Sequence, residues 1–257
     1  MSAADEVVHL TVDDRVARIT LDSPGNRNAL SRPLVDQLEA HLRRADEDVD
    51  VGIVVLTHTG GTFCAGADLT EAVAHGMEDG TRRLLRLLRT IVALPTPVVA
   101  AVCGHVRAGG VGLVGACDLA LVTAESTFAF TEARLGLAPA IISLTTRTRL
   151  SDRDAAAKWL TGTTFDGVEA AQAGLVTAAV PAADLDDELT GRLGELRGAS
   201  PQGLRETKRL LNRELLARID ADGDELVALS ARLFASAEAR EAMTAFKERR
   251  PPRWATT

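Results

Sequence analysis

The chain has 257 residues, of which 46% are apolar and 25% charged, and its net charge is −7. This is the balance of a globular protein with ample material for a core, and without a dense basic block it is not that of a nucleic-acid-binding protein. No apolar run reaches the roughly 18–20 residues of a membrane span, and Met1–Glu6 has neither the basic region nor the apolar stretch of a signal peptide, so a cytoplasmic protein without a membrane partner is expected.

Cys64, Cys103 and Cys117 are odd in number, lack metal-ligand spacing and lie among small or apolar residues. They predict a reducing compartment, no metal, and packing roles for all three.

Val7–Val12 and Val16–Leu21 are strand-like runs joined by a turn at Asp13-Asp14-Arg15. Ser31 is placed to cap a helix carrying Leu34, Leu38 and Leu42 at helical spacing. Gly52–Thr57 reads as a buried strand. Residues 81–94 read as an amphipathic helix with Leu84, Leu85, Leu87, Leu88 and Ile91 toward a sheet and its arginines in solvent. Pro95-Thr96-Pro97 ends that helix, and Val98–Cys103 is the next strand. Strand, helix, strand repetition predicts a parallel sheet with helical cover. The chain then reads as helix through Ala116-Cys117, followed by short strands at Leu119–Val122 and Thr127–Phe130. From Ser151 onward helices predominate, over 152–161, 168–173, 183–197, 201–218 and 224–247, with Gly174–Pro181 as the main extended interruption. The expected division is an α/β core over 1–195 and a C-terminal helical region over 196–257.

Two segments rich in small residues stand out. Phe63-Cys64-Ala65-Gly66-Ala67-Asp68-Leu69 comes after the strand ending at Thr57, and Gly104–Gly112 after the strand ending at Cys103. Small residues just past strand ends let backbone N–H groups come close to a ligand. Gly109 and Gly110 fall near a helix N-terminus, where free N–H groups and the helix dipole favour an anion. Two converging donors of this kind make an oxyanion hole; tight turns after strands are the plainer alternative for either segment alone.

This pair of segments resembles the crotonase family, the enoyl-CoA hydratases and isomerases. The resemblance covers nearly the whole chain. It takes in Asn26-Arg27-Asn28-Ala29-Leu30-Ser31, the two small-residue segments, Thr131–Gly136, Ser200-Pro201 with Thr207-Lys208, and Phe246–Pro251. It implies an α/β crotonase (ClpP/crotonase-like) fold: a β-β-α spiral core with a C-terminal helical region that packs in trimers, often two trimers stacked as a hexamer. It implies an acyl-CoA thioester as substrate, with no metal or redox cofactor and coenzyme A present only as part of the substrate. Under the resemblance, the N–H groups of Ala67 and Gly109 are the oxyanion donors. Arg27, Ala29, Ala65, Asp68, Leu69 and Gly110 line the path of the coenzyme A moiety, and Lys247 and Arg250 reach its phosphates. A generic basic helix end is the alternative for the last two.

Glu132 is the acid/base candidate. It follows Phe128-Ala129-Phe130-Thr131, which offers little to solvate a charge, and a desolvated carboxylate exchanges a proton near neutral pH. By itself such a Glu also suits a helix N-terminus; the resemblance aligns it with one of the two catalytic glutamates of hydratases. The other glutamate of that pair is missing, because Gly112 occupies its position. A two-carboxylate hydratase needs both to hold the attacking water, whereas an isomerase shuttling a proton between C2 and C4 needs one. The readings are therefore an enoyl-CoA hydratase, methylglutaconyl-CoA-type hydratases included, an isomerase with Glu132 as sole base, or an acyl-CoA-binding protein that has lost its chemistry. Ser143, as a helix N-cap before Leu144, and His105, as a packing residue, are the other polar groups near these segments. Arg107 and Arg134 are expected to face outward; an inward arginine would suit a substrate with a second carboxylate.

Overall fold

The computed structural model describes residues 6–68, 71 and 77–255. The first hairpin pairs β1 (Val8–Asp13) with β2 (Val16–Leu21), antiparallel, with Asp13 opposite Val16. Asp14 and Arg15 turn the corner with φ of 43° and 62°, both left-handed, as a two-residue hairpin turn with the right twist requires. β2 then pairs in parallel with β3 (Ile53–His58), β3 with β5 (Val98–Val102), β5 with β7 (Leu119–Thr123) and β7 with β10 (Ala178–Val180). β5 is buried at every residue, as befits a parallel strand covered on both faces.

The helices cover this six-stranded sheet. α1 (Arg32–Glu47) buries Leu34, Val35, Leu38 and Leu42. Ser31 sits at its N-cap but makes no side-chain cap. The Glu71 carboxylate accepts from the Arg32 N–H instead, at 2.9 and 3.1 Å. α2 (Met77–Ala93) buries Leu87, Leu88 and Ile91 as expected and leaves Leu84 and Leu85 half-buried; it also buries Val92 and Arg83, so its arginines are not all in solvent. α7 (Leu185–Arg197) places Leu189 and Leu193 against the opposite face of the sheet, with Val55, Val99 and Leu121.

A second, four-stranded sheet was hidden in the sequence. It runs β4 (Thr62–Cys64), β6 (His105–Arg107), β8 (Thr127–Ala129), β9 (Phe165–Asp166). The two small-residue segments therefore contain strand residues of their own, Phe63-Cys64 of β4 and all of β6, and Ala65–Ala67 and Ala108–Gly110 follow these strands rather than β3 and β5. Short helices fill in around it: α3 (Gly109–Ala116), α4 (Ala140–Thr146), α5 (Asp152–Thr161) and α6 (Gly167–Gln172). Ser143 is inside α4 and not at its cap; its Oγ donates to the Ala140 carbonyl at 2.6 Å.

The C-terminal region departs from expectation in one respect. α8 (Pro201–Phe234) is a single 34-residue helix, followed by α9 (Ala237–Lys247). No break falls between 218 and 224. Gly223 stays helical because α2 packs on it: a Cβ there would lie 2.8 Å from Leu85 Cδ2. Arg82 with Asp224 and Arg89 with Asp220 bind the same two helices at the surface. Deeper in, Lys208 Nζ donates to the Ile91 and Thr96 carbonyls, both at 3.0 Å, and pairs with Asp118 at 2.7 Å. Leu215, Ile219 and Val227 join the same apolar core as the sheet, each contributing about 1.5–3 kcal/mol by burial.

Candidate active site

β4, β6 and β8 are parallel neighbours, with Cys64 opposite Val106 and Arg107 opposite Ala129. Their carboxyl ends lie side by side, the usual place for a ligand in such sheets. The chain leaves them through Ala65–Ala67, Ala108–Gly110 and Phe130–Glu132. The topology thus brings the three catalytic candidates Ala67, Gly109 and Glu132 to one sheet edge.

The first two segments touch. Gly66 has φ of 93°, and a Cβ on it would come 2.9 Å from Ala108 Cβ and 3.6 Å from Gly109 N. A Cβ on Gly110 would meet Cys64 Cβ at 2.7 Å and Cys64 O at 2.8 Å. Ala108 sits at φ 46°, ψ −116° at the start of α3, a strained conformation for a residue with a side chain, of the sort that costs about 1–3 kcal/mol and clusters at functional sites. Its own N–H is held by Ala129 O at 3.2 Å, so β8 helps fix it. The N–H groups of Ala67 and Gly109 have no acceptor among the described residues.

Asn28 fastens the preceding loop to this edge. It is fully buried; its Oδ1 accepts from Ser23 N at 2.7 Å and its Nδ2 donates to the Thr59 and Thr62 carbonyls at 3.2 and 2.8 Å. Arg27, with φ of 59°, accepts from Ala65 N at 3.1 Å through its carbonyl, and Leu30 N donates to Gly66 O at 2.8 Å. Ala29 is buried and the Arg27 side chain is exposed. The Asn-x-x-Asn-Ala-Leu pattern noted in the sequence is thus a structural staple for the 65–67 segment. Asp68 accepts from Glu71 N at 3.2 Å.

Glu132 begins a 3-10 turn, Glu132–Leu135, closed by Gly136 at φ 68°. Its Oε2 is shielded from water and has no partner among the described residues. Burial pushes its pKa up to about 7, opposed by a bond from its own N–H. Near neutral pH the carboxyl is therefore divided between its two forms, the condition for general acid/base work. Phe130, two residues earlier, is buried against Trp159 with ring centroids 5.8 Å apart.

A cavity of about 60 Å³ opens beside Ala67, between Leu30 and Leu84. The same two leucines press on Gly109, where a Cβ would meet Leu30 Cδ1 at 2.5 Å and Leu84 Cδ2 at 3.4 Å. Glu132 is not on the described lining of this cavity. Arg83, on that lining, escaped the sequence reading. Its signal was its position on the apolar stripe of α2, four residues before Leu87 and eight before Ile91.

The remaining candidates disperse. Gly112 faces α4, where a Cβ would come 2.7 Å from Ile142 Cγ2. His105 is exposed, not packed; its Nδ1 lies 2.7 Å from Thr127 Oγ1. Cys103 is likewise exposed, against the packing role expected of it, while Cys64 and Cys117 are buried with thiol pKa values pushed by burial up to about 12. Arg107 is not a free surface group: part-buried, it donates to the Val106 and Thr127 carbonyls and to Thr127 Oγ1. Arg134 is exposed and donates to Thr161 O at 2.7 Å. Arg250 is paired with Glu241 at 2.7 Å and Glu248 at 2.6 Å. Leu69 and the Lys247 side chain lie outside the described residues. No helix among the described residues is long and apolar enough to cross a membrane, and no cluster of His, Cys, Asp and Glu among them has metal-binding geometry.

The family model for enoyl-CoA hydratase/isomerase matches residues 11–257. A Mycobacterium bovis protein named "Probable enoyl-CoA hydratase echA8" is 31% identical over 255 residues, 97% of this chain and 98% of its own. The crystal structure of an enoyl-CoA hydratase from Mycobacterium avium superposes with a TM-score of 0.91 at 49% identity, covering 99% of this chain and 100% of that one. An enoyl-CoA hydratase/isomerase from Pseudoalteromonas atlantica T6c gives 0.86 at 29% identity, covering 97% and 100%. The chain belongs to the enoyl-CoA hydratase/isomerase family and has the crotonase fold.

Proposed function

We propose that this protein adds water to a 2-enoyl-CoA thioester. The thioester oxygen takes hydrogen bonds from the N–H groups of Ala67 and Gly109 as it acquires negative charge. Removing one such donor typically costs about 3–4 kcal/mol of transition-state stabilisation. Glu132 supplies or accepts the proton. Neither a metal nor a redox cofactor takes part, and coenzyme A enters only with the substrate. The observation that carries this reading is the shielded Oε2 of Glu132, without a partner among the described residues and with a pKa raised to about 7, at the strand ends that also bear two N–H groups with no acceptor among those residues. Hydratase names among the relatives support it.

One observation favours a second reading. Position 112 has no carboxylate and is closed off by Ile142, so α3 offers no acid there to hold the water. Isomerisation of a 3-enoyl to a 2-enoyl-CoA needs only Glu132. Assaying the purified protein against crotonyl-CoA, 3-hexenoyl-CoA and 3-methylglutaconyl-CoA separates the readings. Hydration of crotonyl-CoA is expected, and turnover of 3-hexenoyl-CoA alone would replace the hydratase reading by the isomerase. Binding of all three without turnover would leave an acyl-CoA-binding protein. We further propose a cytoplasmic trimer or dimer of trimers, supported by exposed Leu210 and Leu211 on α8, 61% and 75% accessible. Light scattering tests it, and a monodisperse monomer at micromolar concentration would refute it.

A further inference from the structure

Gly109 opens α3, a helix of eight residues that is buried throughout. Four of the eight are glycine, and only Val111, Leu113 and Val114 carry side chains larger than a methyl group. Glycine ranks below every residue but proline as a helix former, and a helix this short does not sustain itself in water. α3 therefore takes its position from what it touches. On one side that is α4: a Cβ on Gly112 would come 2.7 Å from Ile142 Cγ2, and one on Gly115 would come 2.9 Å from Thr145 O.

The last four carbonyls of a helix have no partner inside it. In α3, Leu113 O accepts from Cys117 Sγ at 3.3 Å and Val114 O from Cys117 N at 3.2 Å. Both donors belong to the next turn of the same chain and move with the helix. Gly115 O instead accepts from Arg149 Nε at 3.1 Å, and Arg149 Nη2 donates to Cys117 O, also at 3.1 Å. Arg149 is half-buried just past the end of α4, and its own N–H donates to Thr146 O at 3.1 Å. One guanidinium thus bridges two carbonyls at the C-terminal end of α3, a use of the planar fork that a lysine cannot copy. Its positive charge also faces the negative end of the helix dipole. The segment that starts with Glu132 runs through α4 to Arg149, so the stretch of chain that carries the base also grips the helix that carries the donor.

Resting on the acyl-CoA reading above, with Gly109 as an oxyanion donor, we propose that Arg149 is a positioning residue for that donor. By bridging the Gly115 and Cys117 carbonyls it fixes α3 along its axis, and so sets where the Gly109 N–H meets the thioester oxygen. It acts at a distance, because eight helical residues separate the two ends of α3 by about 12 Å. A misplacement of about 1 Å at the reacting groups is enough to cost about 10²-fold in rate.

Three readings on the purified protein test this. They are kcat with whichever of crotonyl-CoA and 3-hexenoyl-CoA is turned over, calorimetric Kd for butyryl-CoA, a saturated ester that does not react, and the ultraviolet band of bound acetoacetyl-CoA. The enolate of that β-keto ester absorbs in the near ultraviolet, so the enolate fraction per bound ligand reports how well the site holds an oxyanion. Arg149→Met keeps the apolar stem and removes the bridge. It should lower kcat per binding site by roughly 10–100-fold and weaken the enolate band, with butyryl-CoA Kd within about three-fold, because the donors matter most once the oxygen is charged. Arg147→Met, two residues earlier, removes a guanidinium paired with Asp152 and should leave all three readings within about two-fold. Arg149→Lys keeps the charge but offers a single point donor. It should stay several-fold below wild type in kcat, and it decides if Arg149→Met does not fold. Unchanged kcat in Arg149→Met, a fall in kcat without a weaker enolate band, an equal fall in Arg147→Met, or wild-type behaviour of Arg149→Lys overturns the proposal and leaves the acyl-CoA reading standing. Absence of binding of butyryl-CoA and acetoacetyl-CoA to the wild-type protein overturns that reading, and this proposal with it.

Discussion

In the six-stranded sheet β5 is buried at every residue and pairs on both sides, with β3 and β7. In the four-stranded sheet β4, β6 and β8 have three residues each, and they end in the segments that hold Ala67, Gly109 and Glu132. The first sheet earns its stability from apolar area. The second is too short to stand by itself and is positioned by particular contacts: Asn28 on Thr59 and Thr62, Gly66 against Ala108, Gly110 against Cys64. Stability and chemistry are thus carried by different parts of the fold, and substitutions at the small sheet's edge can separate the two.

The sharpest separation is Glu132→Gln. It keeps the size of the side chain and removes the titrating proton. Turnover should fall by about 10²–10⁴-fold, as for a lost general acid/base, while acyl-CoA affinity changes little, since the oxyanion and coenzyme contacts remain. Steady-state kinetics with a binding isotherm checks both halves. Near-wild-type turnover would move the chemistry to another group. The wild-type pH profile adds a direction. If Glu132 gives its proton to the substrate, one of the two roles the hydratase reading allows it, crotonyl-CoA hydration should fall as pH rises through about 7. A rate that rises through the same pH would mean that Glu132 acts as the base, accepting a proton from the attacking water.

Stability should respond to the same residue with a definite sign. The pKa of Glu132 is raised from 4.5 to about 7 on folding, so the folded state holds its proton more tightly than the unfolded chain. That contribution is fully present below about pH 4.5 and is lost as pH rises to about 7. Relative to Glu132→Gln, which does not titrate, wild-type unfolding free energy should drop by about 3 kcal/mol across this window. Urea melts of both proteins at several pH values would show it, and parallel pH curves would mean that Glu132 is not desolvated.

A third test strikes where the two α-helices under the site meet. Gly112→Glu supplies the carboxylate that two-glutamate hydratases have, but its Cβ would come 2.7 Å from Ile142 Cγ2 and 3.1 Å from Ile142 Cβ. The variant should lose about 1–3 kcal/mol of stability by overpacking and gain no hydratase activity. Combined with Ile142→Ala, the total loss should be smaller than the sum of the two single losses, because residues in contact couple by about 0.5–3 kcal/mol. Strictly additive losses would mean that α3 and α4 do not touch at this point.

The difference between the two sheets also decided what could be seen in the sequence. Runs such as Val16–Leu21 and Val98–Val102 announce their strands by apolar content. β4, β6 and β9, at two or three residues, are shorter than any period that could reveal them. The segments at their ends were legible for another reason: Gly66, Gly109 and Gly110 are glycines that close packing requires. The fusion of two expected helices into α8 was not legible, because Gly223 reads as a breaker until Leu85 is seen filling its space. Arg83 was missed because an arginine on an amphipathic helix is usually solvated; Asp79, one turn earlier on the same helix, and Glu71, brought in by folding, make its burial tolerable.

The smallest effects should come from two polar residues, Ser143 and His105, whose hydrogen bonds are local. Ser143 spends its hydroxyl on the Ala140 carbonyl inside α4, at 2.6 Å. That bond stays within one helical turn and satisfies a carbonyl that the helix also uses, so Ser143→Ala removes little. His105 is exposed on β6 and, among the described residues, its ring meets the Thr127 hydroxyl, for which water can take the place of the imidazole in the alanine variant. Neither side chain fills a buried space, holds a charge in the core or caps a helix, and substitutions away from such features usually stay within about 0.5 kcal/mol. Ser143→Ala and His105→Ala should therefore each keep hydration of crotonyl-CoA within about two-fold and stability within that margin. A rate loss approaching that of Glu132→Gln in either variant would show that the missing second carboxylate is replaced by a hydroxyl or an imidazole, and that the edge of the small sheet works with two proton-transfer groups instead of one.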